Sequence, residues 1–274
     1  MKGHKPAWPA ATLLLLTMLM AVVSGVCAAE HPASPERAAA ASPKVDTRHS
    51  GSLDMSPALR AIQGDDHQNP AQLWVDSGRE RWRGECARCH GEVGQAMRGV
   101  AARYPALDAG SGRVLTLNQR IRACRSRVGG ADLARRDGAE SEPVLALQAL
   151  LALQSRGLPL VPGPDAKSEV LASQGEQLFK RRMGALELSC ADCHEARAGL
   201  RLGGSVIPQG HATAYPLYRL EWQGMGSLGR RLRACLVGVR ATPFAPDADE
   251  ALALEVYLSR RAAGMVMEAP GLRP

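Results

Sequence analysis

Two five-residue stretches stand out for their chemistry, Cys86-Ala87-Arg88-Cys89-His90 and Cys190-Ala191-Asp192-Cys193-His194. In each, two thiols three positions apart can meet the two vinyl groups of one porphyrin as thioethers, and the histidine that follows can coordinate the iron from the same side. The expectation is two covalently bound haem c groups, one held through Cys86 and Cys89 and one through Cys190 and Cys193, with His90 and His194 as proximal iron ligands. A structural zinc site also uses cysteine pairs, but it needs two further ligands in a similar arrangement, and cysteine and histidine are both rare in this chain.

The sixth iron position can be filled by histidine, methionine, cysteine or water. Met97, Met225, His67 and His211 come into question, and none of them has a counterpart in the other half of the chain. Cysteine does. Tyr104-Pro105 lies twenty residues before Cys124, and Tyr215-Pro216 lies twenty residues before Cys235. Within that ungapped match, Gln119-Arg120-Ile121-Arg122-Ala123-Cys124 aligns with Arg230-Arg231-Leu232-Arg233-Ala234-Cys235, and Met225 faces Val114. Cys124 is therefore expected as the distal ligand of haem 1 and Cys235 as that of haem 2, with a Cys124–Cys235 disulfide as the alternative in an oxidising compartment. Arg120 and Arg231 precede their cysteines by four positions, which on a helix places guanidinium and sulfur side by side. Such a neighbour favours thiolate over thiol; thiolate is the ligand and the nucleophile, whereas a disulfide gains nothing from it.

Two sets of elements must position these groups. Leading helices are expected at 69–83 and 167–182, and closing helices at 141–157 and 249–264, where Ser141 and Asp249 can cap, Pro143 suits the first turn, and Gly157 and Gly264 suit a left-handed exit. Each half thus reads as leading helix, haem motif, loop, cysteine helix and closing helix. This order resembles the cytochrome c fold, so the expected class is all-α, with two tandem cytochrome c-like domains at 47–160 and 161–274 joined near the proline-rich stretch 158–165.

Composition agrees with a haem-filled interior. Aromatic residues make up 4% of the chain, with Phe179 and Phe244 the only phenylalanines, so the protein part of each core is short of its largest apolar groups. The N-terminus has basic residues Lys2 and Lys5, an apolar run at 10–23 and small residues after it, which reads as a cleaved secretory signal over 1–29 and implies a periplasmic protein with no membrane span once cleaved. Cys27 invites a lipid anchor, but Val26 stands where such signals want a small residue. The stretch 30–46 is Ala/Pro/Ser-rich and is expected to be a disordered lead-in. The formal charge of +7 falls to +5 when Lys2 and Lys5 leave, and four haem propionates offset most of the rest, so nucleic-acid binding is not supported.

At this point the chain resembles the SoxA family, the dihaem cytochrome subunit of the bacterial sulfur-oxidising system. The resemblance runs from about Gly78 onward through Met97-Arg98-Gly99-Val100-Ala101-Ala102-Arg103-Tyr104-Pro105, Gln154-Ser155-Arg156-Gly157, Gln209-Gly210-His211, Tyr218-Arg219-Leu220-Glu221-Trp222-Gln223, both Arg-x-Arg-Ala-Cys stretches, and Glu268-Ala269-Pro270-Gly271. It implies an L-cysteine S-thiosulfotransferase that couples thiosulfate to a cysteine of a SoxYZ-like carrier and passes two electrons to a cytochrome c. It further implies Cys235 as a cysteine persulfide that ligates haem 2, Cys124 as the ligand of haem 1, Arg231 as the substrate-binding residue, and a small monohaem SoxX-like subunit as heterodimer partner. Arg233 or Arg240 stands behind Arg231 as a second cation for a sulfonate group. Some members of the family lack the first haem motif; here both are intact. Leu236-Val237-Gly238-Val239 after the second cysteine departs from the polar residues expected there. A plain electron-transfer dihaem cytochrome, and a thiosulfate dehydrogenase that makes tetrathionate without a carrier, are the rival functions.

Overall fold

A polar side chain caps the N-terminus of five of the ten described α-helices in the computed structural model, which describes residues 46–274; the expected signal at 1–29 and all of the expected lead-in except Asp46 lie outside the described residues. A first helix, α1 (Pro57–Gly64), is capped by Ser56 and carries proline in its first turn. The first half then follows as α2 (Gln72–Arg81), a π turn at Trp82–Cys86, α3 (Ala87–His90) and α4 (Val93–Ala96). After these come strands β1 (Ala106–Asp108) and β2 (Arg113–Leu115), α5 (Leu117–Arg136), which breaks its helical path at Gly130, and α6 (Glu142–Leu153). The second half runs α7 (Ala166–Lys180), α8 (Cys190–His194), the small hairpin β3 (Arg201–Leu202) and β4 (Ser205–Val206), then β5 (Leu217–Arg219) and β6 (Gly224–Gly226). It closes with α9 (Leu228–Gly238), α10 (Asp249–Arg261) and β7 (Gly271–Arg273). No described helix is long and apolar enough to cross a membrane.

The four expected helices are present, and Gly157 and Gly264 take the left-handed exit at φ 83° and 79°. Two caps differ from expectation. Ser141 occupies the cap position of α6 but its hydroxyl makes no capping bond, and at α10 the cap position falls to Ala248, which has no side-chain bond to offer, rather than to Asp249. Asp249 instead lies in the first turn, where its charge faces the positive end of the helix.

The all-α expectation needs correcting to a helix-rich fold with short strands. The segment between haem motif and cysteine helix is an antiparallel β-hairpin in both halves, and the register repeats: Ala106 pairs with Leu115, and Leu217 with Gly226. Pro105 and Pro216 stand directly ahead of the first strands, where proline bars a helix, and the chain turns back through residues of positive φ, Gly112 and Gln223. β7 adds to β5 in parallel, giving the sheet order β6-β5-β7.

The halves are cross-braced. Each hairpin buries its central residue in the other half: Val114 packs with Leu252, Val256 and Leu171, while Met225 joins the cluster of Val75, Leu147 and Leu150. Met267 and Ala269, past the end of α10, also lie in that first cluster. Residues 46–274 accordingly form one compact unit. Carboxylates exchange in the same way. Glu140, ahead of α6, accepts from the hydroxyl and N–H of Ser227 at the cap of α9 and lies 3.5 Å from Arg233; Asp247, ahead of α10, accepts from Arg122 and Gln119 on α5.

Glu255 on α10 sits within this seam, its carboxylate beside Gly229 in the first turn of α9. Burial, reinforced by Glu140 and opposed by Arg233, pushes its carboxyl up from 4.5 to about 7. Because the folded-state pKa is raised, the stability this group contributes is present below 4.5 and is lost as pH rises through about 7. Glu255→Gln is expected to flatten the decline in denaturation midpoint between about pH 5 and about pH 8. A wild-type pH slope in that variant would clear Glu255 of the effect.

Candidate functional site

Ser189 and Asp192 build the second haem motif. Their reciprocal capping bonds, Ser189 N to Asp192 Oδ2 at 2.9 Å and Asp192 N to Ser189 Oγ at 3.0 Å, hold α8 so that Cys190, Cys193 and His194 fall on one short helix. His194 Nδ1 donates to the carbonyl oxygen of Pro208 at 2.8 Å, which leaves Nε2 for a metal. Gly210, at φ 77°, lies against the same ring; a Cβ there would come within 3.0 Å of His194 Cγ. Burial lowers the His194 pKa, against the Pro208 bond and with help from Arg231, and so keeps the imidazole in its neutral, ligating form. Two thiols on one helical turn, a tied histidine with its outer nitrogen available and a backbone that leaves space beside it fit a haem c group.

α9 brings the predicted residues to this motif. The Cys190 thiol is pushed up to about 11, first by burial and next by the charge of Cys235, which therefore lies close to it. Tyr215 is pushed up to about 12 by burial, with Arg231 and Cys235 as its next neighbours in effect. Arg231 and Cys235 thus lie near enough to the second motif for their charges to act on Cys190, His194 and Tyr215. Arg231 is half-buried, yet among the described residues its guanidinium makes no hydrogen bond and no ion pair. Arg233 does not stand behind it as expected, since it turns to Glu140. Arg240 has an exposed side chain and φ 58°.

The first motif is built differently. Its histidine, His90, is exposed and lies against Trp82, with ring centroids 5.7 Å apart, while Trp82 Nε1 donates to the Gly91 carbonyl at 2.9 Å. The Cys86 thiol is pushed up to about 11 by burial, then by Glu85 and by Cys124, so Cys124 faces Cys86 as Cys235 faces Cys190. All six described cysteines are free thiols; Cys124 and Cys235 are not joined. Arg120 is tied to Asp108 at 2.9 Å. The other residues weighed for the sixth position lie elsewhere in character. Met225 is 2% exposed and packed in the core, Met97 packs against the same core, and His67 is exposed. His211 is half-buried, with Nε2 3.2 Å from Gln209 Oε1, and burial pushes it down to about 4.

Two features of the sites escaped the sequence reading. Arg125, next to Cys124, is buried and bonds both Asp137 and Glu85, tying the cysteine helix to the residue before Cys86. Its counterpart after Cys235 is Leu236, which is 5% exposed, so an apolar contact replaces a buried ion pair there. That accounts for the start of the apolar run after Cys235. The second is the exchange of Asp108 for Arg219, each sixteen residues before its cysteine. The ungapped match already contained it, and comparing charges position by position would have found it.

Known proteins match this architecture along most of the chain. The family described as SoxA/TsdA, cytochrome c domain, matches twice, at residues 70–160 and 174–267. The L-cysteine S-thiosulfotransferase subunit SoxA of Rhodovulum sulfidophilum is 32% identical over 237 residues, covering 84% of this chain and 82% of that protein. The subunit of the same name from Paracoccus pantotrophus is 31% identical over 235 residues, covering 83% of this chain and 80% of that protein. Among solved structures, a chain of SoxXA from P. pantotrophus superposes with a TM-score of 0.78 at 31% identity, covering 83% of this chain and 87% of that one. With a doubled cytochrome c domain match, curated relatives above 30% identity and the same fold, this chain belongs to the SoxA family.

Proposed function

We propose that this chain is the dihaem SoxA subunit of a periplasmic L-cysteine S-thiosulfotransferase, with 47–160 and 161–274 as tandem cytochrome c-like domains and the second as the catalytic one. The observation that carries the reading is Arg231: a half-buried guanidinium without a protein partner, one helical turn before Cys235 and beside the His194 motif. A half-buried guanidinium with no protein partner has its donors available, and an anionic substrate can occupy them.

The reaction couples thiosulfate to a cysteine thiol of a SoxYZ-like carrier, forming a sulfur–sulfur bond and releasing one proton and two electrons. Cys86, Cys89 and His90 would hold one haem c and Cys190, Cys193 and His194 the other, with Cys124 and Cys235 as further iron ligands; bound there, the groups would supply the acceptors for those electrons on their way to a cytochrome c. Arg231 binds the sulfonate oxygens and leaves the sulfane sulfur facing Cys235. The persulfide sulfur of Cys235 couples to the sulfane sulfur as the two electrons leave, and the carrier thiolate then attacks that sulfane sulfur, forming the carrier's sulfur–sulfur bond and releasing Cys235 as the persulfide again. Tyr215 stays protonated, since burial holds its pKa near 12, and so adds no negative charge beside the dianion. A monohaem SoxX-like subunit completes the enzyme as a heterodimer, a reading supported by the SoxXA structure that this chain resembles.

Intact-mass analysis and peptide mapping of the native protein test the assignment. The expected result is a chain beginning after the signal, two covalent haems on the four motif cysteines, and one additional sulfur on Cys235 alone. Two haems with an unmodified Cys235 in fresh samples would count against the transferase.

A further inference from the structure

The two cysteine sites share helix, hairpin and register, yet they differ at one charged position. Sixteen residues before Cys124, at the end of β1, stands Asp108; sixteen before Cys235, at the end of β5, stands Arg219. Both pair with the first residue of the returning strand, Asp108 with Arg113 and Arg219 with Gly224. The two side chains therefore leave equivalent points of equivalent hairpins.

Their consequences for the neighbouring arginine are opposite. Asp108 Oδ1 accepts from Arg120 Nη1 at 2.9 Å, and its Oδ2 is anchored by the Ser111 N–H at 2.9 Å and hydroxyl at 2.7 Å. Arg120 is thus paired with a carboxylate that Ser111 helps to hold in place. Arg219 turns aside instead: its Nε donates to Glu221 Oε2 at 2.8 Å and its guanidinium lies 5.5 Å from the centre of the Trp222 ring, on which Arg230 also stacks at 4.2 Å. No carboxylate reaches Arg231 among the described residues.

We propose that Asp108 is a specificity-determining residue that silences the first cysteine site toward anions, and that Arg219 in the same place leaves the second site open to them. A bound carboxylate occupies the donors that a sulfonate would need, and it cancels the charge that would draw a dianion in. One fold thereby carries two haem–cysteine sites of which only one takes an oxyanion, so the first is left to pass electrons. This inference rests on the reading of Arg231 as the thiosulfate-binding group.

Calorimetric titration of the haem-loaded protein with thiosulfate, without carrier, counts the sites, and the electron paramagnetic resonance signals of the two ferric haems assign them. Wild type is expected to bind one thiosulfate and to shift one haem signal. Asp108→Asn is expected to bind a second and to shift the other signal as well. Arg219→Asp is expected to weaken the wild-type site about tenfold or more, because it places a carboxylate beside Arg231, whereas Arg219→Gln stays within about threefold. Asp108→Asn binding only one thiosulfate, beside a wild type that responds, overturns the inference while leaving Arg231 in its role. Equal weakening by Arg219→Asp and Arg219→Gln overturns it too, since charge is then not the cause. A wild type that binds no thiosulfate removes the role of Arg231, and the inference with it.

Discussion

Replacing Arg231 by alanine is expected to cut carrier-dependent thiosulfate turnover severely while leaving the haem spectra and the melting temperature close to wild type. The reason lies in what the side chain does not do. It makes no ion pair and no hydrogen bond within the described protein, so its removal breaks no internal tie. Its counterpart Arg120 would be a different matter, since removing it strands Asp108. A hydrogen bond to a charged group contributes about 1.5–3 kcal/mol, and a guanidinium can place two on one sulfonate. Losing both lowers kcat/KM by roughly two to four powers of ten. Arg231→Lys keeps the charge but loses the fork, and is expected to fall between the two. Steady-state kinetics with purified carrier, alongside visible spectra, give the answer; wild-type kcat/KM in the alanine variant would remove Arg231 from the site.

The second large effect is on stability. Gly175 on α7 and Gly78 on α2 sit where a leading helix crosses its closing helix, and neither has room for a side chain. A Cβ at Gly175 would overlap the carbonyl of Ala253, and one at Gly78 that of Ala146. These are backbone atoms at equivalent places in α10 and α6, so relief requires the helices to separate. Gly175→Ala is expected to destabilise the haem-loaded protein by about 1–3 kcal/mol, and Gly175→Val by more. Gly64 at the end of α1 meets nothing within 4 Å, so Gly64→Ala is the control that leaves the midpoint near wild type. Denaturant unfolding followed at the haem band reads all three. Equal midpoints for Gly175→Ala and Gly64→Ala would show that the helix crossing tolerates a methyl group.

The duplication lies behind both expectations, and it was legible in the chain. The ungapped match from Tyr104 to Cys124 and from Tyr215 to Cys235 corresponds to hairpins of identical register followed by helices capped by Thr116 and Ser227. Helices could be placed because caps, proline and glycine act locally. The hairpins were missed because strands of three residues carry too little alternation to register, and the β-structure they form depends on a partner segment rather than on their own sequence. The clean division near residue 160 did not foresee that Val114 and Met225 would be buried in each other's half, since burial between distant segments leaves no periodic trace.

The sequence by itself determined the chemistry on offer. Two Cys-x-x-Cys-His motifs are bound by covalent spacing alone, and an arginine four residues before a cysteine shares its helix face whatever surrounds the helix. What only the tertiary structure decided is which of two nearly identical arginines is available. Arg120 and Arg231 look alike in the chain, and each becomes what its hairpin makes it: Asp108 reaches one, while Arg219 turns to Trp222 and leaves the other bare. The difference rests on contacts between a strand end and a helix twelve residues further along the chain, and Coulomb interactions depend on distance in space rather than along the sequence.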